Sequence, residues 1–149
     1  MVEVELPANR GAVRYLPSFE ANLPRFALDM GDISAFRFGD ISLKSTNNHI
    51  KVGVTILLIY ACATANLLQG AIANTFNVHS TNGGISGAFN TTNSLTIVTT
   101  NSPVSVRIGA VNEKSEKPTK VSMQTTNGFV PLSLSHLLLT EISTQTHQG

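Results

Sequence analysis

Short stretches of alternating apolar and polar residues recur along the middle of this chain. "ISLKST" from Ile41 and "LTIVTT" from Leu95 alternate or run β-branched, as half-buried strands do. Asn and a small or polar residue follow each stretch and favour a turn, because Asn and Gly tolerate left-handed backbone conformations. An extended apolar pattern then resumes, as in "VSVRI" from Val104. The pattern predicts repeated strand–turn–strand units.

The spacing of the turns indicates a common period. The four turn strings are "KSTNNHIKV", "HSTNGGISG", "VTTNSPVSV" and "QTTNGFVPL", and they share Asn47, Asn82, Asn101 and Asn127. These asparagines are 35, 19 and 26 residues apart. Removing the sixteen residues 54–69 from the first interval, and the seven residues 112–118 from the last, leaves 19 in both. We therefore expect repeats of about 19 residues.

Units of this length bury one face only by stacking on their neighbours. The sequence thus predicts a mainly β fold, either a β-solenoid or an elongated sheet sandwich. The recurring asparagines are expected to form a ladder at equivalent corners, each side chain bonding the backbone of the next turn. Four independent turns are the alternative. We divide the chain into a cap or extended segment (1–40), a β-repeat domain (41–128) and an irregular tail (129–149).

The two ends fit the repeat poorly. The first third contains Pro7, Pro17 and Pro24, and its pattern indicates a short helix around residues 26–30. Its four phenylalanines are expected to cover the open end of the stack; they are Phe19, Phe26, Phe36 and Phe38. In the tail, residues 134–142 have an amphipathic pattern, which favours either a short helix or a frayed end.

An uncharged apolar stretch, residues 54–69, interrupts the repeat domain and has three interpretations. The first interpretation is a membrane span, if the stretch is extended to residues 52–73, which are 22 residues, although polar side chains make it less apolar. The second is a helix inserted between repeat units. The third is a translated, retained intron, because Val54 can encode a GT donor and Gln69 a CAG acceptor. Ala65-Asn66 can encode the CTAAC branch-point sequence between them.

The composition argues against several classes of function. Charged residues make up 13% of the chain and the net charge is +1, so no nucleic-acid partner is indicated. The single cysteine excludes an internal disulfide framework and a cysteine-based zinc site. The four histidines, His49, His79, His136 and His147, show no metal-ligand spacing. No catalytic arrangement or cofactor motif is found, so we expect a protein that is not an enzyme.

The residues "FGDISLKSTNNHIKVG", "STNGGISGAFNTTNSLTIVTTNSPVSV" and "KPTKVSMQTTNG" resemble a group of basidiomycete fungal proteins. These proteins carry adhesin-like domains related to a bacterial adhesin-type β-repeat family. The group's hydroxyl–Asn–turn pattern falls on Thr81, Asn82 and Gly83, and again on Thr100 and Asn101. The resemblance covers about residues 17–128 without the apolar stretch. It implies a β-repeat fold, often outside the cell, and no catalytic residues.

Two functions follow from these observations as expectations. The first is a non-catalytic, adhesin-like module that contacts a glycan or a protein surface. Its working face would carry Thr46, Asn47, Thr81, Asn82, Thr100, Asn101, Thr126 and Asn127. The second is a single-span membrane protein with its span at residues 52–73.

A cell-surface location is suggested by the resemblance, although no signal peptide is visible. Asn90 in "NTT" is an N-glycosylation site if the chain is exported.

Overall fold

The chain runs as a succession of β-strands joined by short corners. The computed structural model describes residues 13–31, 33, 36–53, 71–110, 118–129, 132–135 and 140–146. The strands are β1 (Arg14–Asn22), β2 (Leu28–Met30), β3 (Phe36–Ser45), β4 (Ile50–Val52), β5 (Ala71–Ser80), β6 (Ile85–Thr99), β7 (Val104–Ala110), β8 (Thr119–Thr125), β9 (Leu132–Ser135) and β10 (Thr140–Thr146). No helix occurs among the described residues.

The strands stack in two columns, and every pairing between them is parallel. The first face consists of β1, β3, β5, residues 94–99 of β6, β8 and β10. The second face consists of β2, β4, residues 85–91 of β6, β7 and β9. Where it turns into the first face, residues 89–91 of β6 also pair with residues 71–73 of β5. The chain alternates between the faces and returns each time to the next level. This is a β-solenoid, so the predicted mainly β, repeat-built fold is confirmed in its solenoid form.

Strand register explains the unequal spacing of the repeats. Ser45 pairs with Ser80, Ser80 with Thr99 and Thr99 with Thr125, so residues 35, 19 and 26 positions apart occupy equivalent sites. The additional residues of the longer intervals fall between β4 and β5 and between β7 and β8. In both intervals the chain passes from a strand of the second face to a strand of the first face. The candidate inserted helix near residues 54–69 lies outside the described residues.

The described strands of the N-terminal region, β1 and β2, are part of the solenoid. β1 pairs with β3, and β2 pairs with β4, so the stack begins well before residue 41. The helix predicted around residues 26–30 is wrong, because Leu28–Met30 is strand β2. Phe38 is buried and contacts Phe19 edge to face, with ring centroids 6.2 Å apart, whereas Phe26 is 49% exposed. Phe26 therefore does not cover the core.

The two described strands of the C-terminal tail, β9 and β10, also continue the stack. β9 pairs with β7, and β10 pairs with β8 over seven in-register positions, Thr140↔Thr119 to Thr146↔Thr125. The predicted helix over residues 134–142 is wrong wherever that range is described, since residues 134–135 and 140–142 are strand. The preceding coil offers a strand edge with open backbone donors and acceptors. Pairing with that edge outweighs the local amphipathic pattern.

The membrane-span interpretation of residues 52–73 is wrong at both of its ends. Val52 is a buried residue of β4, and Ala71 and Ala73 are buried in β5, which pairs with β3 and β6. In the part of the chain that the structure describes, no helix is long and apolar enough to cross a membrane. The residues between these strands are outside the described ranges.

One stack of apolar side chains fills the space between the two faces. Alternate residues of the strands point inward, and Phe38, Phe76, Phe89, Leu43 and Ile97 are each at most 1% exposed. Phe76 and Phe89 meet edge to face, with ring centroids 5.3 Å apart. Each fully buried side chain of this size stabilises the fold by roughly 1.5–3 kcal/mol relative to exposure. Most of the outward alternate positions carry polar residues.

Glycine is required where successive corners touch. A Cβ atom on Gly83 would overlap the backbone carbonyl of Asn48 in the preceding coil, and one on Gly128 would overlap the carbonyl of Ser102. Neither glycine needs a positive φ angle. At these two positions it is the close approach of the backbones that excludes a side chain.

We predict that Gly83→Ala lowers the free energy of unfolding by about 1–3 kcal/mol, because the corner has to move away from Asn48. Gly84→Ala is the matched control. A Cβ atom there would lie 3.4 Å from the carbonyl oxygen of Pro103, which is ordinary contact, so the change should stay below about 1 kcal/mol. Urea unfolding of both variants followed by circular dichroism measures the difference. Equal effects of the two substitutions would contradict the proposed close approach.

Candidate functional site

The four predicted asparagines lie one above another at the corner that leads from the first face to the second. We call this the Asn corner; it comprises residues 46–49, 81–84, 100–103 and 126–129. In three successive coils the asparagine backbone N–H donates to the threonine carbonyl of the coil before. Asn82 N–H bonds Thr46 O at 2.8 Å, Asn101 N–H bonds Thr81 O at 2.9 Å, and Asn127 N–H bonds Thr100 O at 2.7 Å. The backbone thereby fixes the asparagines in register.

The side chains of these asparagines form a hydrogen-bonded ladder. Nδ2 of Asn82 donates to Oδ1 of Asn47 at 3.0 Å, and Nδ2 of Asn101 donates to Oδ1 of Asn82 at 2.7 Å. Nδ2 of Asn127 donates to Oδ1 of Asn101 at 2.9 Å. The ladder bonds differ from the sequence expectation, in which each side chain would bond the backbone of the next turn. Here amide bonds amide.

The ladder explains why an amide is suited to this position. An asparagine has a donor and an acceptor on one short side chain, so a residue inside the ladder can bond both neighbours. An aspartate could only accept, and its charge would face the carbonyl oxygen of the next residue. Each bond contributes about 0.5–1.5 kcal/mol, and because the side chains are exposed the lower part of that range applies.

The first coil has no asparagine at this position. The Asn47 backbone N–H donates to Pro24 O at 3.3 Å, which is the same bond that the later coils make to threonine. Arg25 therefore occupies the place of the asparagine. An arginine side chain has no acceptor for the Asn47 amide, so the ladder ends at Asn47.

Behind the ladder lies a row of buried hydroxyl groups that the sequence analysis did not identify. The row consists of Ser45, Ser80, Thr99 and Thr125, which are in register and at most 3% exposed. Ser80 Oγ accepts the Gly83 N–H at 3.1 Å, and Thr125 Oγ1 donates to Ser102 O at 3.4 Å. The hydroxyls of Ser45 and Thr99 have no partner among the described residues. The signal in the sequence is the hydroxyl residue two positions before each asparagine.

The outer side of the first face carries a second in-register array of polar side chains. One row runs through Ser42, Asn77, Thr96, Ser122 and Ser143, and a parallel row runs through Lys44, His79, Val98, Gln124 and Gln145. These side chains are exposed or half-buried. Between Ser42 and Ser143 the first row contains only hydroxyl and amide groups, and Glu20 of β1 pairs with Ser42 at its N-terminal side. The sequence analysis predicts the working face at the Asn corner and does not identify this array.

The candidate glycosylation site lies at the other corner. Asn90 is half-buried in β6 and pairs with Ile72 on one side and Gly109 on the other. The Thr91 hydroxyl is buried, and its single O–H is shared between the carbonyls of Asn74 at 2.8 Å and Ser94 at 3.0 Å. Thr91 of the sequon therefore has a structural role within the corner. Glycosylation of Asn90 stays a prediction.

The described residues contain no cluster of three or more His, Cys, Asp or Glu side chains that could hold a metal ion. His49 and His79 are exposed. The ion pair between Lys51 Nζ and Asp29 Oδ2, 3.3 Å apart on the second face, is largely solvated and contributes little to stability. A cleft of about 400 Å³ at the C-terminal end is lined by Gln124, Thr125, Thr144, Gln145 and Thr146. Its lining has no ionisable group.

We found no match to this chain among models of known protein families, among curated proteins or among solved structures. The resemblance to adhesin-like domains that the sequence suggests therefore remains a prediction.

We predict that Asn101→Ala lowers the free energy of unfolding by about 1–2 kcal/mol, because it removes the two ladder bonds that join Asn101 to Asn82 and to Asn127. Asn77→Ala is the control, since Asn77 is exposed on the first face; its effect should be within about 0.5 kcal/mol. Urea unfolding at neutral pH compares the two. Equal losses would show that the ladder does not contribute to stability.

Proposed function

We propose that this chain is a non-catalytic, adhesin-like β-repeat module with a structural or surface-interaction role. The observation that supports the proposal is the outer side of the first face, where hydroxyl and amide groups repeat in register on five successive levels of the stack, from Ser42 to Ser143. A parallel sheet spaces such groups about 4.8 Å apart between strands and about 7 Å apart along a strand. The result is a regular, rigid array.

The outer array is better suited to contact a partner than the Asn corner is. The asparagine amides already bond one another, so a ligand would have to replace those bonds. In contrast, Ser42, Asn77 and Ser122 make no side-chain hydrogen bond within the described part of the chain. We therefore assign the Asn corner a structural role and the outer array the role of contact surface.

A neutral glycan is the partner that this chemistry favours. The row from Ser42 to Ser143 offers hydroxyl and amide groups, which both donate and accept hydrogen bonds, as sugar hydroxyls do. Low charge density argues against a polyanionic partner. The resemblance to adhesin-like fungal proteins supports the same proposal, and a cell-surface location follows from it as part of the proposal.

The test is binding of the full-length protein to insoluble cellulose, chitin and mannan in a sedimentation assay. We predict binding to at least one of these polysaccharides. Asn77→Glu should reduce the affinity by about fivefold or more, since an unpaired charge buried against a neutral surface costs about 1 kcal/mol or more. Ser105→Glu is the matched control, because Ser105 is an exposed outward residue of β7 on the second face.

Two outcomes would overturn the proposal. One is the absence of binding to all three polysaccharides, and the other is an equal loss of affinity in the two glutamate variants. Circular dichroism of both variants should match that of the unmodified protein, because each substitution is at an exposed position. A loss confined to Asn77→Glu would locate the contact on the first face.

A further inference from the structure

The Asn corner contains two Asn-Gly dipeptides, Asn82-Gly83 and Asn127-Gly128. In such a dipeptide the glycine nitrogen can attack the asparagine side-chain carbon, since no glycine side chain hinders the approach. We propose that these are two unequal sites of hydrolytic deamidation, with Asn82 shielded by the folded corner and Asn127 modified first. The inference is independent of any glycan binding.

The fold itself maintains the reactive dipeptide. A side chain at residue 83 would overlap the Asn48 carbonyl, and one at residue 128 would overlap the Ser102 carbonyl. The ladder requires an amide at residues 82 and 127, and the stacking of the corners requires a glycine directly after it. A less reactive residue pair cannot satisfy both requirements at once.

At Asn82 both reacting groups are restrained, the attacking nitrogen of Gly83 and the side-chain amide of Asn82. The Gly83 N–H donates to the buried hydroxyl of Ser80 at 3.1 Å, so the attacking nitrogen is engaged. The Asn82 side chain is bonded to Asn47 on one side and to Asn101 on the other. Attack requires the Gly83 bond to break and the side chain to leave the ladder. Each requirement raises the barrier.

At Asn127 one of these restraints is absent. The equivalent hydroxyl, Thr125 Oγ1, donates to the Ser102 carbonyl at 3.4 Å instead of accepting from the glycine. Within the described residues the Gly128 N–H makes no hydrogen bond. Gly128 is also half-buried, whereas Gly83 is buried. The attacking nitrogen of Gly128 is therefore held less firmly than that of Gly83.

The reaction needs only water as co-reactant. The glycine nitrogen loses its proton and forms a bond to asparagine Cγ, and the Cγ–Nδ2 bond breaks to release ammonia, which leaves a cyclic imide. Water then opens the imide at either carbonyl and gives aspartate or isoaspartate. The net change is amide plus water to carboxylic acid plus ammonia. Because the nitrogen must lose its proton, the rate rises with pH.

Deamidation of Asn127 would alter the ladder. Residue 127 would lose the Nδ2 donor that bonds Asn101 Oδ1 and would gain a negative charge. Isoaspartate would also lengthen the backbone at a corner whose hydrogen bonds and carbonyl contacts allow little shift. The modification thus removes one ladder bond and changes the charge of an exposed corner.

The experiment is incubation of the folded full-length chain at mildly alkaline pH, followed by peptide mapping with mass spectrometry at both sites. We expect Asn127 to deamidate faster than Asn82 in the folded protein, and the two rates to converge in concentrated urea. Ser80→Ala should raise the rate at Asn82 by roughly two- to tenfold, which corresponds to the loss of one hydrogen bond. It should leave the rate at Asn127 unchanged.

Ser45→Ala is the matched control. Ser45 occupies the same buried row, but its hydroxyl has no partner among the described residues, so its removal should not change the rate at Asn82. Equal rates at the two sites in the folded protein would overturn the proposal. So would an equal effect of the two alanine variants on Asn82. If Ser80→Ala does not fold, the ratio of the deamidation rates at Asn127 and Asn82 in the unmodified folded protein tests the proposal by itself.

Discussion

Parallel, in-register backbone pairing between successive coils is the constraint on which the rest of this structure depends. It places each residue about 4.8 Å above the equivalent residue of the coil before, so that equivalent positions of successive coils are neighbours. Asparagine therefore bonds asparagine, hydroxyl stacks on hydroxyl, and apolar side chains continue one core. Where backbones touch, as at Gly83, the same stacking excludes a side chain.

The same constraint decides where the repeat can vary. The residues of β3 and β5 pair in register although 35 positions separate Ser45 from Ser80, because the additional residues fall in the connection between β4 and β5. The connection between β7 and β8 accommodates the longer interval between Thr99 and Thr125 in the same way. The Asn corner keeps its length, since its backbone and amide bonds join every level from Asn47 to Asn127.

The asparagine spacing predicts a stacked β-repeat, either a solenoid or a sheet sandwich, because the corner repeats both in residue type and in length; the strand pairing shows the solenoid. The sequence pattern does not predict the two end coils. Arg25 stands at the asparagine position of the first coil, and residues 134–142 have an amphipathic pattern although residues 140–142 belong to β10. There, pairing with a neighbouring edge outweighs local pattern. The bonding of amide to amide, and the inward position of Ser80, depend on side-chain orientation. The sequence does not contain that information directly.

NMR spectroscopy of the isotopically labelled full-length chain tests the central claim most directly. The register predicts nuclear Overhauser contacts from the Asn82 side-chain amide protons to both Asn47 and Asn101, which are 35 and 19 residues away. It also predicts contacts between backbone protons of Leu43 and Val78, which are paired in β3 and β5. Contacts from Asn82 to only one of the two asparagines, or from β3 to β5 in another register, would contradict the account.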